Sequence, residues 1–98
     1  MVLRIDTERN EIKALQQVTA WRGKNVLEIG CGDGRLTRRL ARLGAYIEAI
    51  DPSQDLIRTA QSQLPKSFAS RVRFRVGSSA RLEYPRSHFD LVLFSWSL

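Results

Sequence analysis

The stretch at residues 26–34, VLEIGCGDG, limits most strongly how this chain can fold. A short apolar run reaches the acid Glu28, and three glycines follow at alternate positions, Gly30, Gly32 and Gly34. A helical pattern begins directly after them. Because glycine has no Cβ, such a loop lets the backbone approach a ligand closely. The stretch therefore predicts a strand, a tight ligand-binding loop and a helix in succession.

Length and composition limit the class of protein. The 98 residues suffice for one domain with a modest core, and 43% hydrophobic with 27% charged residues is typical of soluble globular proteins. No apolar stretch approaches the roughly 20 residues of a membrane helix, so we expect no membrane partner, and the N-terminus lacks the apolar core of a signal peptide. Cys31 is the single cysteine, which excludes an internal disulfide and favours a reducing, cytoplasmic setting.

The chain is basic, with a net charge of +6, and 13 of its 16 basic residues are arginines. Such a balance can indicate a nucleic-acid partner. Here the arginines are spread over several predicted elements and form no tract. Solvated helix and strand faces are therefore the favoured interpretation, and a nucleic-acid partner stays open as the alternative.

Apolar periodicity predicts alternating helices and strands. Helices are predicted at residues 7–21, at 35–43 and from the N-cap Ser53 to about Leu64, and strands at 26–29, 45–50, 71–76 and 89–94. This alternation is typical of a parallel sheet with right-handed crossovers.

The last two predicted strands differ in pattern. Residues 71–76, RVRFRV, alternate strictly, which predicts one buried face and one arginine face at a sheet edge. Residues 89–94 alternate little, as a central strand buried on both faces does. If the strand order is third, second, first, fourth, this last strand has an open edge. We then expect either a longer domain or a partner covering that edge, such as a second copy in a homodimer.

Ligands of open parallel sheets bind beyond the carboxyl ends of the strands. Four loops meet there, and the first contains the acids Glu28 and Asp33, which would repel a pyrophosphate. The spacing G-x-G-x-G also differs from the G-x-G-x-x-G of dinucleotide sites. A ligand carrying positive charge is favoured instead, and S-adenosylmethionine fits through its ammonium and sulfonium groups. Asp51, at the end of the second strand, can accept hydrogen bonds from both ribose hydroxyls.

Residues 28–34 resemble the first motif of class I S-adenosylmethionine-dependent methyltransferases. The similarity continues through AIDPS at 49–53, VGSSARL at 76–82 and FDLV at 89–92. The chain is most similar to the group that methylates small molecules, the ubiquinone and menaquinone methyltransferase type, over about residues 20–98.

This resemblance implies an α/β fold, a Rossmann-like three-layer α/β/α arrangement whose parallel sheet has strand order 3-2-1-4. Residues 1–98 would form a single cofactor-binding domain, the truncated N-terminal portion of a methyltransferase. The resemblance also implies S-adenosylmethionine as the cofactor, a small-molecule methyl acceptor and no metal site.

The resemblance assigns roles to individual residues. Glu28 helps to hold the ammonium group, directly or through water, and Asp51 binds the ribose. Ser78 and Ser79 fall where the family contacts the adenine ring, although Ser78 replaces the usual aspartate with a neutral acceptor. Asp90 is expected to be structural. The implied cofactor-binding set comprises Glu28, Gly30, Cys31, Gly32, Gly34, Asp51, Pro52, Ser78, Ser79 and Ser95.

Two alternatives stay open, a non-catalytic Rossmann-like binding module and, less favoured, a fragment of an NAD-dependent oxidoreductase. The sequence identifies no catalytic base. Cys31 is expected to be a small loop residue rather than a nucleophile, since no histidine accompanies it. His88 is expected to be exposed. In the family that the chain resembles, the acceptor pocket is built largely from segments after the fourth strand.

Overall fold

The computed structural model of the chain describes residues 2–6, 19–78 and 88–96, with residues 2–6 and 96 described by their backbone alone. Its strands are β1 (Val2–Asp6), β2 (Asn25–Ile29), β3 (Tyr46–Asp51), β4 (Val72–Val76) and β5 (Leu91–Trp96). Its helices are α1 (Arg35–Arg42) and α2 (Gln54–Gln63), followed by a 3-10 turn at Lys66–Phe68. The strands form one parallel sheet in the order β1-β5-β2-β3-β4.

The strand order confirms most of the predicted topology. The four predicted strands, β2, β3, β4 and β5, lie in the order third, second, first, fourth, and β4 is an edge strand as expected. The expected open edge of β5 is wrong, because β1 pairs with it in parallel from Val2–Val92 to Asp6–Trp96. A five-residue segment carries too little pattern to be identified alone and becomes a strand only by pairing with β5. No second copy is needed to cover this edge.

The predicted first helix, at residues 7–21, falls mostly outside the described residues. Residues 7–18 belong to the part of the chain that is not described, and residues 19–21 are not helical. None of the helices in the described ranges is both long and apolar enough to cross a membrane.

The main core lies between the sheet and the two helices, on the side that we call the helical face. Leu36 and Leu40 of α1 and Ile57 of α2 pack there against Val26, Ile47, Ala49, Leu91 and Leu93 of the strands. Trp21 joins this core at 3% exposure. A second cluster lies on the opposite face and contains Leu27, Ile29, Ile50, Phe89, Val92 and Phe94.

Local signals explain where the two helices begin and end. The Ser53 hydroxyl caps α2 by accepting from the Leu56 N–H at 3.2 Å, as predicted. Pro65 follows the end of α2, and Gly44, at φ 97°, follows the end of α1. The four predicted strands and the two predicted helices that the structure describes differ from the observed ones by one or two residues at their ends.

Arg71 departs from the predicted arginine face of β4. The strand begins one residue later, and the Arg71 guanidinium turns back to donate to the carbonyls of Ala41 at 2.6 Å and Ala45 at 3.1 Å. It also lies 5.2 Å from the centre of the Phe68 ring. The carbonyls at and after the last turn of α1 attract the cation, so Arg71 links α1 to β4, whereas the next two arginines of the segment are exposed as predicted.

Candidate functional site

The glycine loop after β2 is held against the end of β3. The N–H groups of Gly30 and Cys31 both donate to the Ile50 carbonyl, at 2.8 and 3.0 Å, and the Gly34 N–H donates to the Cys31 carbonyl at 3.0 Å. These bonds fix the path of the loop at the carboxyl edge of the sheet, where the sequence predicts it. The loop is therefore a preformed turn between β2 and α1.

The glycines of this loop serve different purposes. At Gly30 the φ is 80°, and a Cβ would lie 2.6 Å from the Ser95 carbonyl oxygen. Gly30 thus lets the loop pass the end of β5. At Gly34 the φ is 84°, and a Cβ would lie 3.0 Å from both Ala60 and Phe74. Gly34 is buried beneath α2, so its lack of a side chain serves helix packing rather than contact with a ligand.

Asp51, the last residue of β3, joins two loops through its carboxylate. One oxygen accepts from the Gly32 N–H and the other from the Ser53 N–H, both at 2.9 Å. The side chain is buried at 7% exposure. Because each carboxylate oxygen has about two acceptor positions, both oxygens keep capacity for one further donor. The arrangement brings Asp51 and the glycine loop together, as predicted.

Glu28, in β2, lies wholly inside the protein on the helical face. Its Oε1 accepts from the Thr37 hydroxyl at 2.5 Å, and among the described residues its Oε2 has no hydrogen-bond partner. Burial raises the pKa of this carboxyl from 4.5 to about 7, the hydroxyls of Thr37 and Ser95 oppose that rise, and the Asp51 charge adds to it. Direct contact between Glu28 and solvent is blocked, since its exposure is 0%.

Cys31 contributes to the loop through its backbone. Its side chain packs in the main core at 5% exposure, and its Sγ lies 3.8 Å from the Gly32 carbonyl. Burial, together with the nearby carboxyl groups of Glu28 and Asp51, raises the pKa of the thiol far above its usual range. A thiol in this state is not a nucleophile, in agreement with the sequence-based expectation.

Three of the other predicted site residues lie in the described part of the chain. Pro52 is exposed beside Asp51, Ser78 is half-buried just after β4, and Ser95 is buried at 7% exposure in β5. Ser79 lies outside the described residues. His88 is exposed, as predicted.

Asp90 lies at the amino ends of the strands, whereas the glycine loop lies at their carboxyl ends. Its Oδ2 accepts from the Asn25 N–H at 2.8 Å, and its own N–H donates to the Asn25 carbonyl at 2.7 Å. These two bonds tie the start of β5 to the start of β2. The geometry matches the structural role expected for this acid.

Sequence reasoning missed three residues at or near the site. Thr37 is fully buried and donates to Glu28; it shares a helical stripe with Leu40 and Ala41, and that i, i+3, i+4 spacing could have indicated an inward-facing hydroxyl. Leu56 in α2 and Val76 at the end of β4 are large apolar side chains exposed by 38% and 50%. No signal in the sequence marks them as exposed.

Taken together, the carboxyl edge offers close backbone approach at a glycine loop with two buried carboxyl groups near it. Such a surface suits a ligand that carries positive charge and a pair of hydroxyls.

Comparison with known proteins finds similarity over most of the chain. The family model described as "Methyltransferase domain" matches residues 26–98. The chain is 41% identical over 71 residues to a ubiquinone biosynthesis O-methyltransferase of Bradyrhizobium diazoefficiens, covering 72% of this chain and 27% of that protein. It is 43% identical over 58 residues to a magnesium-protoporphyrin O-methyltransferase of Rhodobacter capsulatus, covering 59% and 26%.

A solved structure shows the same fold. The magnesium protoporphyrin IX methyltransferase of Synechocystis PCC 6803, crystallised with SAH, superposes with a TM-score of 0.72 at 26% identity, covering 85% of this chain and 37% of that one. The chain thus spans about a quarter of the length of the two relatives it matches in sequence.

Proposed function

Since the chain belongs to the methyltransferase domain family, we propose that it forms the cofactor-binding part of an S-adenosylmethionine-dependent methyltransferase. The observation that carries the proposal is the joining of Asp51 to the glycine loop by the 2.9 Å bond from the Gly32 N–H. That bond places an acid with spare acceptor capacity beside a backbone that a ligand can approach closely. The chain's fold, with strand order 3-2-1-4 within its sheet, is the one that the resemblance implies.

The residues of this edge fit the parts of S-adenosylmethionine. The loop from Gly30 to Gly32 can receive the methionine end through its backbone, and Asp51 can accept from the ribose hydroxyls. Glu28 supplies negative charge from beneath the loop rather than by open contact, since its side chain is fully buried. Cys31 takes part through its backbone, and Gly34 shapes the turn.

The adenine end of the cofactor is assigned to the loops after β3 and β4. Pro52 is exposed and Ser78 half-buried there, and Ser79 follows Ser78 in the sequence. The exposed apolar side chains of Leu56 and Val76 supply surface on which a planar ring can pack. Ser95 belongs to the opposite side of the site, where its carbonyl borders Gly30.

When bound, S-adenosylmethionine supplies a methyl group already activated by its sulfonium. The work of this chain is therefore to bind and orient, because an in-line transfer needs alignment more than it needs acid or base catalysis. The preformed loop and the fixed Asp51 carboxylate suit that role. No described residue is assigned as a base.

We infer a small-molecule methyl acceptor and a cytoplasmic location. The acceptor class is supported by two relatives whose names refer to ubiquinone biosynthesis and to magnesium protoporphyrin. Both are named O-methyltransferases, which supports transfer to an oxygen. The buried, reduced Cys31 is compatible with the location.

The test is calorimetric titration of the 98-residue chain at pH 7.5 with S-adenosylmethionine, S-adenosylhomocysteine and NAD. We expect binding of the first two and none of NAD, because two carboxyl groups near the glycine loop disfavour a pyrophosphate. Binding of NAD in preference to S-adenosylhomocysteine would overturn the proposal.

A matched pair of substitutions tests the role of Asp51. Asp51→Asn removes its charge and should weaken binding of S-adenosylhomocysteine by about 1.5–3 kcal/mol, the range for hydrogen bonds to a charged group. The control is Glu48→Gln, which neutralises an acid three residues earlier in the same strand and on the opposite face. Equal effects of the two substitutions would remove Asp51 from the binding site.

A further inference from the structure

Of the two Glu28 carboxyl oxygens, one accepts a hydrogen bond and the other has no partner in the described part of the chain. Thr37 donates to Oε1, while Oε2 has no hydrogen-bond partner among the described residues. Both oxygens are buried in a side chain of 0% exposure. A buried carboxylate without a compensating positive charge is strongly disfavoured, and such a group usually keeps its proton instead.

The groups that surround Glu28 add to its preference for the protonated, neutral form. Within the described part of the chain, the titratable ones are Asp51, from β3, and Cys31, from the glycine loop. Asp51 is a further acid, and Cys31 holds its proton, so neither offers positive charge. Thr37 of α1 and Ser95 of β5 are neutral hydroxyls that favour the ionised form in part. In the empty protein below neutral pH, Glu28 is therefore a neutral acid.

We propose that Glu28 loses its proton when the cationic amino-acid end of the cofactor binds over the glycine loop, and that Thr37 is the positioning residue for this exchange. The inference rests on the proposed function. The carboxyl O–H bond breaks, the proton passes to the solvent buffer, and the positive charge of the ligand's ammonium group compensates the carboxylate that remains. No oxidation or reduction is involved.

Thr37 has two effects in this exchange. Its bond orients the carboxyl group, so that Oε1 is occupied and Oε2 is left to respond to the ligand. It also stabilises the ionised form, because a donor to a carboxylate favours the charge. Loss of the hydroxyl should therefore make the proton harder to remove without changing the loop itself.

The first experiment measures protons directly on the 98-residue chain. Calorimetric titration with S-adenosylhomocysteine, repeated in buffers of different ionisation enthalpy, should show release of close to one proton at pH 5.5 and well under half a proton at pH 7.5. Its Kd should rise about tenfold from pH 6 to pH 5, since one pKa unit corresponds to a factor of ten. The control ligand, 5′-methylthioadenosine, lacks the ammonium group and should release none.

The second experiment separates positioning from general packing. Glu28→Gln should abolish the pH dependence of S-adenosylhomocysteine binding. Thr37→Val, which removes the hydroxyl, should shift that dependence upward by about one pH unit, and Thr37→Ser should restore it. If Thr37 had a purely structural role, Thr37→Val would instead weaken the binding of both ligands by the same factor at every pH.

The outcomes distinguish this inference from the proposed function. Binding of S-adenosylhomocysteine without proton release at pH 5.5 would overturn the inference and leave the proposed function standing. Failure of both ligands to bind at any pH would overturn the proposed function, and the inference with it.

Discussion

A glycine and an acid lie near each end of β2, but in different surroundings. Beyond the amino end, Gly23 has a φ of 76° and open space around it, and Asp90 bonds the exposed Asn25 N–H. At the carboxyl end, Gly30 has a φ of 80° and is crowded by the Ser95 carbonyl. Glu28 is fully buried there, and one of its oxygens has no hydrogen-bond partner within the residues that the structure describes. A glycine and an acid form a structural clamp at one end and a candidate ligand site at the other.

The difference between the two acids lies in burial rather than in residue type, and burial is what makes Glu28 the candidate for function. An exposed carboxylate such as that of Asp90 can also accept hydrogen bonds from water. A buried carboxyl group with an unpartnered oxygen has no such alternative, and it destabilises the empty fold when it ionises. Residues kept in that state are candidates for function.

Substitution of the two glycines should give the largest difference between the ends. Gly30→Ala combines left-handed backbone strain with a contact of 2.6 Å to a backbone oxygen. We expect it to destabilise the chain by about 3–5 kcal/mol. Gly23→Ala meets only the backbone strain and should cost about 1–2 kcal/mol. Denaturant unfolding checks both, and equal losses would mean that the crowding at Gly30 relaxes freely.

The pH dependence of stability should distinguish Glu28 from Asp90. Because folding raises the Glu28 pKa from 4.5 to about 7, the folded state holds a proton that the unfolded state loses within that window. Stability should therefore fall as pH rises from 4.5 to 7, by about 3 kcal/mol, and level off above it. Unfolding by urea across this range measures the slope.

Glu28→Gln and Asp90→Asn are the matched variants that test this slope of unfolding free energy against pH. Glu28→Gln should abolish the slope and be more stable than the unsubstituted chain at pH 8. Asp90→Asn should keep it. Persistence of the full slope in Glu28→Gln would show that another group is responsible.

The smallest effect is expected at the amino end. Asp90→Ala removes the bond to the exposed Asn25 N–H, and we expect a cost of about 0.5–1 kcal/mol of stability. Affinity for S-adenosylhomocysteine should stay within twofold of the unsubstituted chain, because this acid lies at the far edge of the sheet. A tenfold weaker affinity would contradict the division of the two ends into clamp and site.

Much of the fold was predictable because its signals are local. The glycine loop, the Ser53 cap and the alternation of β4 are each contained in a few residues, and the structure confirms them. The strand β1 was not predictable, because it exists only by pairing with β5, some ninety residues away. The return of Arg71 to the end of α1 is likewise a contact between distant segments.

The candidate site divides in the same way. Glu28, the glycines and Asp51 stand out in the sequence, since a strand that ends in an acid next to glycines is a recognisable pattern. Thr37 does not stand out as a site residue, because its spacing with Leu40 and Ala41 indicates an inward face, whereas its bond to Glu28 exists only once the helix packs on the sheet. The exposure of Leu56 and Val76 also follows only from the packed arrangement.

The order of the central strands was an implication of the family resemblance. The sequence by itself determined the alternation of helices and strands, the glycine loop after β2 and the motifs that carry that resemblance. Those features depend on periodicity and on residues close together in the chain. Only the tertiary structure decided that Glu28 is buried beside Thr37, that Gly30 passes the end of β5, and that β1 covers the sheet edge. Burial and long-range pairing depend on which distant segments of the chain meet. The local pattern of glycines and acids around β2 contains no information about those meetings.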